Sequence, residues 1–234
     1  MIADNIKRVI ERVERACATT GRTSGEISIV AASKTQDTNA IRQAYEAGIR
    51  IFGENRAQEL TTKTNDGAYR DAQVHFIGVI QRNKVKNIVG VVSLIQSVHS
   101  YQLIDDISNA AIKNETIQDV LVQINIGNDP AKSGFTPVAA ADAIDYAMQK
   151  QGVRVAGMMC IPPMSDDSAD TARYYEAMHK IYIDNRNKML HNRNPLILSM
   201  GMTGDYIEAI KSGSNMIRVG VAIFGQRPAH NAIA

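Results

Sequence analysis

A short apolar run followed by a helical pattern recurs eight times along this chain of 234 residues, and few folds accommodate that alternation. The runs are ISIVAAS at 27–33, IRIFGE at 49–54, VHFIGV at 74–79, SLIQSV at 93–98, DVLVQINI at 119–126, VRVAGMMCI at 153–161, LILSM at 196–200 and MIRVGVAIFG at 216–225. Several are continuously apolar and β-branched, as expected of parallel strands covered on both faces. Between them lie helical patterns: one capped near Thr38, the short NRAQELTTK, a basic QRNKVKNIVG, one capped by Ser100, and others near 137–150, 168–190 and 204–212. Ahead of the first run, MIADNIKRVIERVERAC spaces Ile2, Ile6, Val9, Ile10 and Val13 as one helical face, which adds an N-terminal helix.

Eight βα units fit either a closed barrel or an open doubly wound sheet, and the count over this length favours the barrel. A GxGxxG after the first strand would favour the open sheet, but that strand ends in AASKTQ. The expectation is an α/β fold, a single (β/α)8 TIM-type barrel with an extra N-terminal helix, over residues 1–234 as one domain. No Pro/Gly/Ser-rich linker divides the chain.

A net charge of +2, from 26 basic and 24 acidic residues, gives no reason to expect nucleic acid as a partner. The basic QRNKVKN reads as a solvated helix face. Cys17 and Cys160 lie far apart without metal-ligand spacing, so a disulfide framework or zinc site is not expected. Neither a signal-peptide core nor a membrane span is evident, which points to the cytoplasm and away from a membrane. The five histidines, His75, His99, His179, His191 and His230, lack metal-site clustering. His75 is the one that could approach a pocket.

Binding groups of such barrels sit at the C-terminal ends of strands. Candidates there are Ser33-Lys34-Thr35, Glu54-Asn55-Arg56, Gln81, Asn83, Asn125, and Ser199 through Asp205. Lys34 follows an apolar strand, where its amine could lose hydration and meet a carbonyl compound; a solvated strand-end lysine is the plainer reading. Ser199-Met-Gly-Met-Thr-Gly-Asp205 supplies hydroxyls and glycines before a helix, a composition suited to phosphate, or an ordinary turn capped by Thr203. Arg218, inside an apolar strand, calls for an anion, an acceptor or a structural ion pair. The methionines near strands six and seven read as core, with pocket lining an alternative.

The blocks VAASKTQ at 30–36, FGENRAQE at 52–59, VHFIGVIQRNK at 74–84, VLVQINIGNDPAKSG at 120–134, MMCIPPM at 158–164 and LSMGMTGDYIEAIKSGSNMIRVGVAIFG at 198–225 together carry a resemblance over nearly the whole chain. The sequence resembles the pyridoxal phosphate homeostasis protein family, whose members look like the barrel domain of alanine racemase. Departures are mild: Val74 where Trp is common, and Asp129-Pro130 where a glutamate is usual, so only the 127–134 loop is placed in doubt. The resemblance implies pyridoxal 5′-phosphate held as a Schiff base on Lys34, with Asn55 beside it. It further implies phosphate contacts from Ser199, Gly201, Thr203 and Gly220, and Arg218 near the pyridine nitrogen. An arginine there donates and cannot accept the ring proton, which leaves a poor electron sink.

The implied role is that of a vitamin B6 carrier or buffer, without catalytic residues or robust catalysis, whose partners include apo forms of pyridoxal phosphate enzymes. Two other readings compete: an amino-acid racemase of the alanine racemase type, and an enzyme of phosphorylated metabolites that uses no pyridoxal. A racemase of that type carries a second β domain supplying an opposing base, and the nine residues after Gly225 are too few to build one.

Overall fold

The computed structural model describes residues 1–165, 167–190 and 195–226. Eight parallel strands close in sequence order: β1 (Ser28–Ala32), β2 (Ile51–Glu54), β3 (Gln73–Phe76), β4 (Leu94–Val98), β5 (Gln118–Ile124), β6 (Val153–Cys160), β7 (Ile197–Ser199) and β8 (Met216–Val219). The seam is the β1–β8 pair, in register at Ser28↔Met216, Val30↔Arg218 and Ala31↔Val219. The expected barrel is therefore present, with its strands in the expected places.

Helix α1 (Ile2–Ala18) precedes the barrel, buries Ile6, Val9, Val13, Ala16 and Cys17, and packs against α7 (Tyr206–Lys211) and α8 (Val221–Phe224). Asn5 fastens it there by donating to the Ile223 carbonyl at 2.8 Å. The remaining helices are α2 (Thr38–Glu46), α3 (Ala57–Asn65), α4 (Tyr101–Lys113), α5 (Ala140–Met148) and α6 (Ser168–Met189). Asp37 caps α2 through the Ala40 N–H and Ser100 caps α4 through the Leu103 N–H, each satisfying an orphan donor of the first turn.

Two elements differ from the sequence reading. QRNKVKNIVG forms a 3₁₀ turn over Arg82–Asn87, with i→i−3 bonds such as Lys84 N–H to Gln81 at 2.8 Å, and ends with Ile88 as its C-cap. The final apolar run is strand only to Val219. At Gly220 the backbone leaves the extended region (φ −112°, ψ −77°), and Val221–Phe224 form one helical turn. A short apolar run is compatible with either state, so periodicity alone could not divide it.

Two layers of apolar side chains result. Most of the core lies between strands and helices, while Val30, Leu94, Leu121, Ala156, Met159, Ile197 and Met216 form a separate cluster. Among the described residues no helix is long and apolar enough to cross a membrane, and no group of His, Cys, Asp or Glu could hold a metal ion.

Candidate functional site

Closure of the seam decides which strand ends meet. Pairing of β1 with β8 sets Gly220 beside Ala32, while pairing with β2 (Ala32↔Gly53) brings Asn55 to the same side. A cavity of about 320 Å³ opens there, lined by Lys34, Asn55, Thr203, Arg218 and Gly220 together with apolar Ile77, Ile161, Met202 and Val221. Its volume falls within the roughly 300–1,000 Å³ of small-molecule sites. A larger cavity of about 980 Å³ lies at the opposite mouth, among residues that begin strands, such as Ser28 and Gln73. Barrel chemistry resides at the C-terminal ends of strands, so the smaller cavity is the candidate.

Lys34 is half-buried at this mouth and its neighbours in sequence are tightly held. Ser33 donates to Glu54 Oε1 at 2.6 Å, and Lys63 Nζ donates to the Ser33 carbonyl at 2.9 Å. Thr35 adopts φ +65°, and its N–H donates to Glu59 Oε2 at 2.7 Å. Beneath them Glu54, fully buried, accepts from Lys63 at 2.9 Å and from the Tyr69 hydroxyl at 3.0 Å. Burial, reinforced by the Glu54 charge, pushes the Tyr69 hydroxyl far up, so it acts as a donor.

On the β7–β8 side, Thr203 Oγ1 accepts from the N–H groups of Gly220 at 3.3 Å and Ala222 at 3.5 Å, joining the two loops. Asp205 Oδ1 accepts from the Met202 N–H at 2.6 Å and shapes the turn. Around Gly204 no heavy atom stands within 4 Å of where a Cβ would sit, so the backbone is open to close approach. Arg218 is 5% exposed and donates to the Ser199 carbonyl at 3.0 Å, the Ser199 hydroxyl at 2.6 Å and the Cys160 carbonyl at 2.9 Å. Burial lowers its proton affinity, partly offset by Cys160, Tyr175 and Asp205. Among the described residues no salt bridge closes on it. Hydrogen-bond acceptors, not an ion pair, hold it in the barrel.

Five of the seven expected site residues, Lys34, Asn55, Thr203, Arg218 and Gly220, therefore converge on one cavity. Ser199 and Gly201 do not line it. Ser199 is fully buried, and its hydroxyl, besides accepting from Arg218, donates to Gln96 Oε1 at 2.7 Å. Gly201, at φ +97°, packs where a Cβ would meet Tyr206 and Ala209. Of the other strand-end candidates, Asn125 organises its own loop, donating to the carbonyls of Asp129 and Lys132, while Gln81 and Asn83 are exposed and outside the cavity. His75 pairs with Gln96 inside the barrel and lines the opposite cavity. His191 and His230 lie outside the described residues. Met158, Met159 and Met200 are core, whereas Met202 is a cavity wall.

The sequence reading missed Glu59, Lys63, Tyr69 and Gln96. An i,i+4 Glu–Lys pair on α3 was the available signal for the first two. Cys160, fully buried, has its thiol pushed up to about 12 by desolvation and offers no nucleophile.

Comparison with known proteins places the chain in a family. The family described as alanine racemase, N-terminal domain, matches residues 4–228. The pyridoxal phosphate homeostasis protein of Aquifex aeolicus is 35% identical over 226 residues, spanning 96% of this chain and 97% of the relative. PipY of Synechococcus elongatus, solved with PLP bound, superposes with a TM-score of 0.82 at 27% identity and covers 96% of this chain and 100% of its own. An alanine racemase of Clostridium difficile superposes at 0.73 with 14% identity, covering 97% of this chain and 57% of the racemase, a likeness of fold.

Proposed function

The chain belongs to the pyridoxal phosphate homeostasis protein family, and from that premise we propose that it binds pyridoxal 5′-phosphate at Lys34 and holds or hands on the cofactor without robust turnover. Bound there, pyridoxal phosphate supplies an aldehyde that an amine captures reversibly. The residues present fit such a group. Asn55 Oδ1 is buried with no hydrogen-bond partner of its own beside the cavity, a state that costs free energy unless something occupies the space. Lys34 would hold the aldehyde end and Arg218 would face the ring nitrogen as a donor. Thr203, with backbone around Gly204 and Gly220, would take the phosphate. Ser199 would act through Arg218, whose guanidinium it anchors.

The observation that carries this reading is the convergence of Lys34, Asn55, Thr203, Arg218 and Gly220 on one small cavity. The same lining argues against racemisation. Among the described residues around it, Lys34 and Arg218 are the only charged side chains, so no second acid–base group opposes the lysine. Residues 1–234 would act as one domain in the cytoplasm, with apo-enzymes that need the cofactor as recipients.

The test is borohydride reduction of purified protein incubated with pyridoxal phosphate, followed by peptide mapping. A pyridoxyl group is expected on Lys34 and is lost in Lys34→Ala. Labelling confined to another lysine, with Lys34→Ala showing the parent's absorption spectrum, would refute the assignment.

A further inference from the structure

We infer that Glu59 and Lys63 are positioning residues for the Lys34 amine, forming a charged clamp that grips the chain on both sides of that lysine and holds Thr35 in a strained turn; this rests on the proposed role of Lys34. Both side chains project from one face of α3, at i and i+4. Glu59 Oε2 accepts the Thr35 N–H at 2.7 Å and bonds Lys63 Nζ at 3.2 Å. Lys63 Nζ in turn bonds the Ser33 carbonyl at 2.9 Å and Glu54 Oε1 at 2.9 Å. The residue before Lys34 and the residue after it are thus tied to the same helix through one shared ion pair. The Lys34 side chain is left to line the cavity.

Two features say that the clamp does more than neutralise buried charge. Thr35 sits at φ +65°, a region that β-branched residues avoid, so something must hold it there, and the Glu59 carboxylate meets its N–H directly. Lys63 has a side chain only 9% exposed and Glu54 is fully buried, so the Lys63 end of the clamp is desolvated and geometrically exacting, while the Thr35–Glu59 bond lies at the surface. Strain maintained beside a ligand-binding group by surrounding structure is a recurrent means of preorganisation.

The test uses the full chain and four forms: parent, Glu59→Gln, Thr35→Asn and the double variant. Asparagine tolerates the left-handed region, so it should need the carboxylate less. Without cofactor, hydrogen exchange at the Thr35 amide is expected to be slowed in the parent and to speed up at least tenfold in Glu59→Gln. With pyridoxal phosphate, titration by absorbance is expected to show Glu59→Gln weakened about tenfold, and Thr35→Asn restoring much of that loss in the double variant. A purely structural ion pair would show no such rescue. Equal Thr35 exchange in parent and Glu59→Gln, or a loss of affinity that Thr35→Asn leaves untouched, overturns the clamp. Failure of the parent to bind pyridoxal phosphate strikes the functional reading instead, and the exchange measurement still decides the clamp.

Discussion

At the scale of single residues, the site divides into groups that face the cavity and groups that hold them. Ser199 belongs to the second kind, since its hydroxyl links Gln96 Oε1 to Arg218 at 2.7 and 2.6 Å with no exposure. Ser199→Ala leaves Gln96 and Arg218 each short of a partner, which costs about 1–3 kcal/mol when the groups are buried. We expect a lower melting temperature and weaker cofactor retention, with the preference for pyridoxal phosphate over pyridoxal unchanged. Thr203→Ala is expected to reduce that preference while melting near the parent. Comparing both ligands in both variants checks the division; a lost preference in Ser199→Ala would return Ser199 to the phosphate. Glu59 gives a pH dependence. Burial opposes its ionisation, but the Thr35 N–H, Lys63 and Arg56 outweigh it and hold the carboxyl below the ordinary range. A folded value below the unfolded one, near ~4.3, means the contribution to stability is fully present above the unfolded value and is lost as pH falls through the folded one. Denaturant melts should therefore show a constant gap between parent and Glu59→Gln from neutrality down to about pH 5, closing progressively below about pH 4. A gap that widens in acid would contradict the sign.

Elements show where sequence reading succeeds and where it stops. The strands were legible because short, largely apolar runs bounded by polar residues have few alternatives, as in Gln118–Ile124 and Val153–Cys160. The 3₁₀ turn at Arg82–Asn87 and the helical turn at Val221–Phe224 were not, because short segments take their state from tertiary bonds. Ser33, Lys34, Asn55, Thr203 and Arg218 were visible as polar interruptions at strand ends. Glu59, Lys63 and Gln96 were hidden: on α3 or within β4, their role depends on what the barrel brings opposite them. The register shift between β5 and β6 is another such feature. Val120 pairs with Val155, but Leu121 pairs with Gly157, so β6 carries an extra residue and Gly157 turns to φ +145°. A Cβ at Gly157 would overlap the Ile197 carbonyl of β7. Gly157→Ala is expected to destabilise the fold by roughly 3 kcal/mol or more, through both strain and overlap. Urea midpoints measure it, and a variant as stable as the parent would show that this bulge can relax.

For the whole molecule, closure of the barrel is what brings separate strand ends, those of β1 to β3 and β6 to β8, into one site, and it also sets the limit on the chemistry. The seam pairs Val30 with Arg218 and so places the lysine-bearing end of β1 against the Gly220 turn. The opposite mouth, where His75 lies, belongs to strand beginnings and contributes nothing to that cavity. One face therefore carries a lysine, a donor arginine and a hydroxyl, among walls of Ile77, Ile161, Met202 and Val221. Racemisation through two bases needs a proton acceptor on one side of the substrate carbon and a donor on the other. Among the described residues of the lining, Lys34 and Arg218 are the only charged side chains, and a guanidinium does not release its proton. A guanidinium at the ring nitrogen would also leave the ring a weak electron sink. Cofactor-loaded protein incubated with L- or D-alanine in deuterated water is thus expected to exchange the α-proton slowly, well below about one event per second, the low end of ordinary enzymes. The same preparation is expected to restore activity to an apo-enzyme that requires pyridoxal phosphate. Lys34-dependent exchange at or above that rate would overturn the carrier reading, with Lys34→Ala as the control that assigns it.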